Sequence, residues 1–187
     1  YISMIDEENK RLGTMAEQVL QSAVLEKGEL ILKKERLNFH DIIKEAVATK
    51  MLQAKSRNGH IFADLKADDS FVIGDKVHLT NIVLNLLDNA LKYTEAVPQI
   101  VVKSRNIPNA FELSVVDNGI GISKANQKRI FEKLYRVPTG NVHNVKGFGL
   151  GLSYVKVSIE KMGGMIGVNS ELKKGSTFYI RLPLEGN

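Results

Sequence analysis

Residues 99–117, QIVVKSRNIPNAFELSVVD, place the strongest limit on what this chain can fold into. Two runs, 99–106 and 110–117, alternate apolar and polar residues as half-buried strands do, with only IPN between them. So short a connection makes an antiparallel hairpin, because parallel neighbours need a crossover of roughly a dozen residues or more. The same pattern returns near the end, where MIGVNSE (165–171) and STFYIRLPL (176–184) flank LKKG. A simple succession of parallel strands, as in a dinucleotide fold, does not fit.

The intervening segments read mostly as helices. HDIIKEAVATKMLQAKSRN (40–58) turns Ile42, Ile43, Val47 and Met51 inward, and HIFADLK (60–66) and FVIG (71–74) read as short strands. Residues 76–94 form a longer helix whose core face is Leu79, Ile82, Val83, Leu86, Leu87 and Ala90. Further helices are expected at 123–135 and 150–162, with a Gly/Asn/His-rich loop at 138–149 between them. The connector GELILKKERLNF is expected to end in a short strand. The fold class expected is α/β (α+β), a two-layer sandwich of a mixed, mostly antiparallel sheet covered on one side by helices. Ahead of it, residues 1–27 read as an N-terminal helix, with Ile5, Leu12 and Val19 recurring at seven, charges opposite, and Gly28 as the stop. So narrow a stripe asks for a coiled-coil or bundle partner, the alternative being a helix folded back on its own domain. The chain therefore divides into a helical piece at 1–28 and a main domain at 29–187.

Lysine and arginine total 26 against 21 acidic residues, a net charge of +5. The basic residues are scattered and aromatics make up 6%, with no stacking platform of the kind single-strand binders use. A small polyanionic ligand is the better use of that charge, and no nucleic-acid partner is expected. The chain has no cysteine, which removes disulfide and thiol chemistry. No run has the length and apolarity of a membrane span, and Tyr1 in place of Met reads as a piece of something longer. A membrane attachment would then lie in regions missing here.

Chemistry concentrates in four stretches. On the 76–94 helix, Asn81, Asn85, Asp88, Asn89 and Lys92 lie off the core face. Asn85 and Asn89 are four apart and project the same way, so two amide oxygens can face a hard cation or a phosphate ligand. Lys92, three residues on, can reach a phosphate as a point charge. In DNGIGI (117–122), Asp117 ends a strand just before Gly119 and Gly121, where a carboxylate can accept from an exocyclic amine and the glycines let a flat base approach. GFGLGLSYV (147–155) runs three glycines into a helix start, exposing backbone N–H groups to phosphate, without the lysine of a Walker loop. GSTF (175–178) opens the last strand.

In this order and spacing, the stretches resemble the ATP-binding catalytic domain of sensor histidine kinases, within the wider gyrase, Hsp90, histidine kinase and MutL ATPase superfamily. NLLDNALKYT looks like the N box, DNGIGI and GFGLGLSYVK like the first and second glycine boxes, IFEKLYRV like the F box and GSTF like the last glycine motif. The likeness covers about residues 36–184, and residues 1–27 resemble the second helix of the family's dimerisation and phosphoacceptor hairpin. It implies ATP and Mg2+ as cofactors, a response regulator receiver domain as partner, and a homodimer in the full-length protein. By that resemblance Asn89 and Asn85 are metal ligands, and Asn85 and Lys92 serve catalysis at the phosphates. Tyr93 lies beside the nucleotide, Asp117 reads the adenine amine, and Gly119 and Gly121 shape that pocket. Gly147, Gly149, Leu150, Gly151 and Leu152 make the hinge and phosphate cradle, Thr177 lies near the base, and Arg136 reaches the phosphates or the lid.

Where superfamily ATPases use a glutamate to activate water, this chain has Asn85, an amide that cannot act as a base. That suits a kinase whose nucleophile is a histidine. The F box departs by having Leu134 where a second aromatic is common. His40, His60, His78 and His143 do not match the family's phosphoacceptor, although His40–Asp41 resembles its His–acid pair. Autophosphorylation is therefore not expected from this chain alone. The expected setting is the cytoplasmic domain of a bacterial membrane-bound sensor, and the alternative reading is a degenerate nucleotide-binding scaffold without kinase activity.

Overall fold

A computed structural model describes residues 30–137 and 149–184. The expected helix at 1–27, its boundary with the main domain, Gly147 and most of the 138–149 loop lie outside the described residues.

Strand β1 (Glu35–Asn38) pairs antiparallel with β3 (Phe71–Gly74) in a two-stranded sheet. Helix α1 (Phe39–Lys55) begins where Asn38 accepts the His40 N–H at 3.0 Å, the side-chain cap that an asparagine supplies at a helix start. It buries Phe39, Ile42, Ile43, Ala46 and Val47, while Met51 is half-buried. The helix stops three residues short of the expectation, because Asn58 takes φ 55° and the chain turns into β2 (His60–Leu65).

Asp75 caps α2 (Lys76–Lys92), its Oδ1 accepting from the N–H groups of Val77 at 3.0 Å and His78 at 3.2 Å. Its Oδ2 accepts the Lys33 N–H at 2.9 Å, tying the connector to the start of that helix. All six predicted core positions of α2 are buried, and Leu91 joins them.

The main sheet has five strands in the order β2-β4-β5-β7-β6. The expected hairpins are β4 (Gln99–Ile107) with β5 (Ala110–Asp117), and β6 (Met165–Glu171) with β7 (Gly175–Pro183). Pro108 and Asn109 make the first turn, with Asn109 at φ 61°, the left-handed second position of a type II turn. Only β2 against β4 is parallel, so the sheet is mixed and mostly antiparallel. One face carries Ile100, Val102, Phe111, Leu113, Val115, Phe178 and Ile180, which share one core with α1, α2 and α4 (Gly151–Lys161). Phe39 of α1 meets Phe111 at a centroid distance of 5.4 Å.

The expected helix at 123–135 is much shorter. Helix α3 covers only Lys124–Gln127, and the chain continues in tight turns such as Arg129 N–H to Asn126 O at 2.9 Å and Glu132 N–H to Arg129 O at 2.8 Å. Leu134 takes φ 60° and stands 66% exposed, while Ile130 is buried and Phe131 and Tyr135 pack partly against the core. The Tyr135 hydroxyl folds back to donate to Asn126 Oδ1 at 2.9 Å.

The other sheet face is polar at its centre. Glu112 of β5 faces Arg105 of β4 and Arg181 of β7 in register, and each arginine donates to one carboxylate oxygen at 2.7 Å. Burial pushes the Glu112 carboxyl up, but hydrogen bonds from the Arg181 and Arg105 guanidiniums outweigh it and hold the group below its usual range. A depressed carboxyl stabilises the fold above its unfolded pKa and loses that contribution as pH falls through the folded value. Because both arginines are partly exposed, Glu112→Gln is expected to cost about 1–2 kcal/mol near neutrality. The deficit should vanish in acid, as denaturant melts of both chains across pH would show. A pH-independent deficit would mean packing, not charge.

Candidate functional site

The end of β5, the outward side of α2 and the start of α4 enclose a cavity of about 480 Å³. The elements around it bring Asn85, Asn89, Lys92, Tyr93, Asp117, Gly121, Arg136, Gly149, Leu150, Gly151 and Leu152 to its walls. Residues far apart in the chain thus converge because three elements packed on one core expose their ends at the same place.

Asp117 is 8% exposed. Its Oδ1 accepts the Gly119 N–H at 2.8 Å and the Ser176 N–H at 3.1 Å, filling both lone pairs of that oxygen. Burial pushes the carboxyl up, while those two N–H groups pull it the other way. No hydrogen bond to Oδ2 accompanies these among the described residues, and Asp117 lines the cavity. Gly119 is not a wall residue. It acts through that N–H, while the adjoining Ile120 N–H binds Tyr93 O at 3.0 Å and joins the loop to the end of α2.

On α2, Asn85 donates its Nδ2 to Asn81 O at 2.9 Å, so its Oδ1 is left as an acceptor. Helix α4 starts against it on Gly151, where an added Cβ would stand 2.6 Å from Asn85 Oδ1. Leu150, the N-cap of α4, makes no side-chain capping bond, so the first N–H groups of that helix open toward the cavity wall. Aligned peptide dipoles add a partial positive charge there.

Two cations complete this side. Burial holds the Lys92 ammonium below the usual lysine range, Arg136 adds to the effect, and Asp88 opposes it. Lys92 and Arg136 place two positive groups at the wall of one cavity, an arrangement that favours an anionic ligand. Among the described residues no cluster of three or more His, Cys, Asp or Glu could hold a metal ion. The donors on offer are amide oxygens, which suit a hard cation that takes most of its ligands from water and phosphate.

Thr177 is not at the cavity wall. It pairs with Val116 on the other sheet face, while its neighbours Ser176 and Phe178 line the cavity. Strand alternation could have found this, because Asp117 pairs with Ser176 and both then share a face. Sequence reading also missed Arg57, whose guanidinium donates to Leu91 O at 2.5 Å and to Thr94 O, clasping the end of α2 from beneath the cavity. No local pattern announces contacts across that distance in the chain.

Residues 74–186 match the family described as histidine kinase-, DNA gyrase B-, and HSP90-like ATPase. The chain belongs to that family. Sensor protein RprX of Bacteroides fragilis is 42% identical over 186 residues, covering 98% of this chain and 36% of that protein, so the chain spans little more than a third of that relative. The structure of full-length ShkA in complex with AMPPNP superposes with a TM-score of 0.84 at 26% identity, covering 98% of this chain and 38% of the other. Histidine kinase ThkA in complex with response regulator protein TrrA shares the fold, with a TM-score of 0.74 at 22% identity over 98% of this chain and 50% of that one. Within the family, this is the ATP-binding catalytic domain of the sensor histidine kinase type.

Proposed function

We propose that this domain binds Mg-ATP in the cavity and positions the γ-phosphoryl for transfer to a histidine nitrogen outside the described residues, from which a receiver-domain aspartate takes it. The observation that carries the reading is one cavity holding both the open acceptor of Asp117 and the Asn85, Asn89 and Lys92 row. Asp117 Oδ2 accepts from the adenine amine. Asn89 and Asn85 offer amide oxygens to the metal, which, when bound, offsets phosphate charge. Lys92, Arg136 and the N–H groups of Gly151 and Leu152 hold the phosphate chain. The residues do little covalent chemistry; they align Pγ so that an imidazole nitrogen forms its bond as the bond to the β-phosphate oxygen breaks.

None of the described histidines lines the cavity. His40 Nε2 is 2.8 Å from Ser104 Oγ, and His78 Nδ1 is 2.6 Å from the Tyr154 hydroxyl, so both are engaged elsewhere. This favours an acceptor on a dimerisation hairpin of a homodimer, with any membrane attachment in other regions; among the described residues no helix is long and apolar enough to cross a membrane. Acid-labile labelled phosphate appearing on the isolated chain after incubation with γ-labelled ATP would overturn the external acceptor.

Calorimetric titration with ATP and ADP, with and without Mg2+, tests the binding itself. The intact chain is expected to bind both and to gain affinity from the metal. Asn89→Ala should lose most of that gain, weakening ATP about tenfold in Mg2+ and little in chelator. A folded chain that binds neither nucleotide would return the domain to a scaffold role.

A further inference from the structure

The base end of the cavity is wired by two hydroxyls, Ser176 of GSTF and Ser170, which lies in none of the motifs. Ser170 Oγ of β6 has three neighbours: the Ile122 N–H at 2.8 Å, Gly175 O at 2.8 Å and Ser176 Oγ at 3.0 Å. A hydroxyl has one hydrogen and two lone pairs. The Ile122 N–H must take a lone pair, and the Gly175 carbonyl, with no hydrogen to give, must take the hydrogen. One lone pair remains, so the Ser176 hydroxyl has to donate to Ser170. Ser176 is buried at the cavity wall beside Asp117, and with its hydrogen turned away it shows the cavity only acceptor lone pairs.

We infer that the Ser170 hydroxyl is a specificity-determining positioning residue: by claiming the Ser176 hydrogen, it keeps the base site free of a hydroxyl donor and so selects a 6-amino over a 6-oxo purine. The inference rests on the nucleotide reading above. Asp117 contributes to the same selection. With both lone pairs of Oδ1 occupied by backbone N–H groups, the carboxylate has one oxygen to offer. One oxygen matches a single exocyclic amine and denies the paired N1–H and N2–H of guanine a two-pronged grip. A 6-oxo group arriving there meets the lone pairs of Asp117 and Ser176 and is buried without a donor. Gln127 braces the arrangement, its Nε2 donating to Ser170 O at 2.8 Å and to Ile122 O at 2.9 Å, so the β6 edge and the loop after β5 hold the relay as one unit.

Without its acceptor at 170, the Ser176 O–H is free to turn into the cavity and donate to a 6-oxo group. The experiment measures dissociation constants of ATP and of its 6-oxo counterpart ITP for the 187-residue chain, for Ser170→Ala, for Ser170→Thr and for the Ser170→Ala/Ser176→Ala pair. The intact chain is expected to prefer ATP, and Ser170→Ala to narrow the ATP-to-ITP ratio about tenfold, mainly by tightening ITP. Ser170→Thr, which keeps the hydroxyl, should hold the original ratio, and the double variant should lose the ITP gain because the donor is gone. A general loosening of the site would weaken both nucleotides and leave their ratio alone. An unchanged ratio in Ser170→Ala, with ATP still bound, overturns this inference and spares the nucleotide reading; failure of the intact chain to bind ATP overturns both. Should Ser170→Ala not fold, a Ser170→Thr ratio shifted from that of the intact chain overturns the inference, and a retained one supports it.

Discussion

Asp117→Asn is expected to weaken ATP binding about a hundredfold or more while leaving the apo domain at least as stable as before. The asparagine oxygen can keep the bonds that Gly119 and Ser176 now give to Oδ1. The amide NH2 then occupies the place of Oδ2 and turns donors toward the purine amine, replacing a charge-assisted bond by two donors face to face. Stability moves the other way. Burial raises the Asp117 carboxyl, so the native state holds its proton more readily than the unfolded chain does. Stability therefore falls as pH rises from the ordinary carboxylate range through the raised native value, and at neutrality the buried charge is a burden that asparagine removes. Calorimetry paired with thermal melts at neutral pH separates the two effects. Equal ATP affinity in the variant would take Asp117 out of the base site, and a large drop in melting temperature would make it a structural carboxylate. For the intact chain, the raised pKa predicts that ATP binding fades at a higher pH than an ordinary carboxyl would allow.

What could be read ahead of the structure was what depends on local period. The two hairpins and the 76–94 helix follow from alternation of two and from a 3.6-residue apolar stripe, and Asn85, Asn89 and Lys92 came with the helix because its other face was already assigned to the core. The misplaced features depend on partners distant in sequence. Whether residue 176 or 177 faces the cavity is settled by the pairing of Asp117 with Ser176 across two strands, 59 positions apart. The 123–135 segment has an apolar pattern that a helix could use, but only Ile130 of its apolar residues is buried, and propensity yielded to the turn that closes on Asn126. Arg57 belongs with these: its targets are carbonyls at the far end of another helix, and carbonyls leave no mark in a sequence.

Gly121→Val should cost about 3–5 kcal/mol of stability and abolish ATP binding, which makes it the most damaging single change expected near the site. Gly121 sits at φ +71°, and an ideal Cβ there would stand 2.0 Å from Glu171 O and 2.7 Å from its carbonyl carbon. The positive φ alone costs a side chain roughly 1–2 kcal/mol, more for a β-branched one. The collision adds to it, because the obstacle is backbone at the end of β6, where the turn to β7 begins, and cannot rotate away. To make room, the loop after β5 must lift from that turn, breaking the Lys173 N–H bond to Ile120 O at 2.8 Å and the Ile122 N–H bond to Ser170 Oγ. Those bonds also hold the frame in which Asp117 faces the cavity, so fold and binding fail together. Gly121→Asn separates the causes: asparagine tolerates a left-handed φ but carries the same Cβ, so it should be within about 1 kcal/mol of valine if the collision dominates. Denaturant melts of both variants, read with ATP titrations, decide it. A valine variant that melts with the wild type would show that the loop and the β6–β7 turn are not in the contact described, and the account of how Asp117 is held would fall with it.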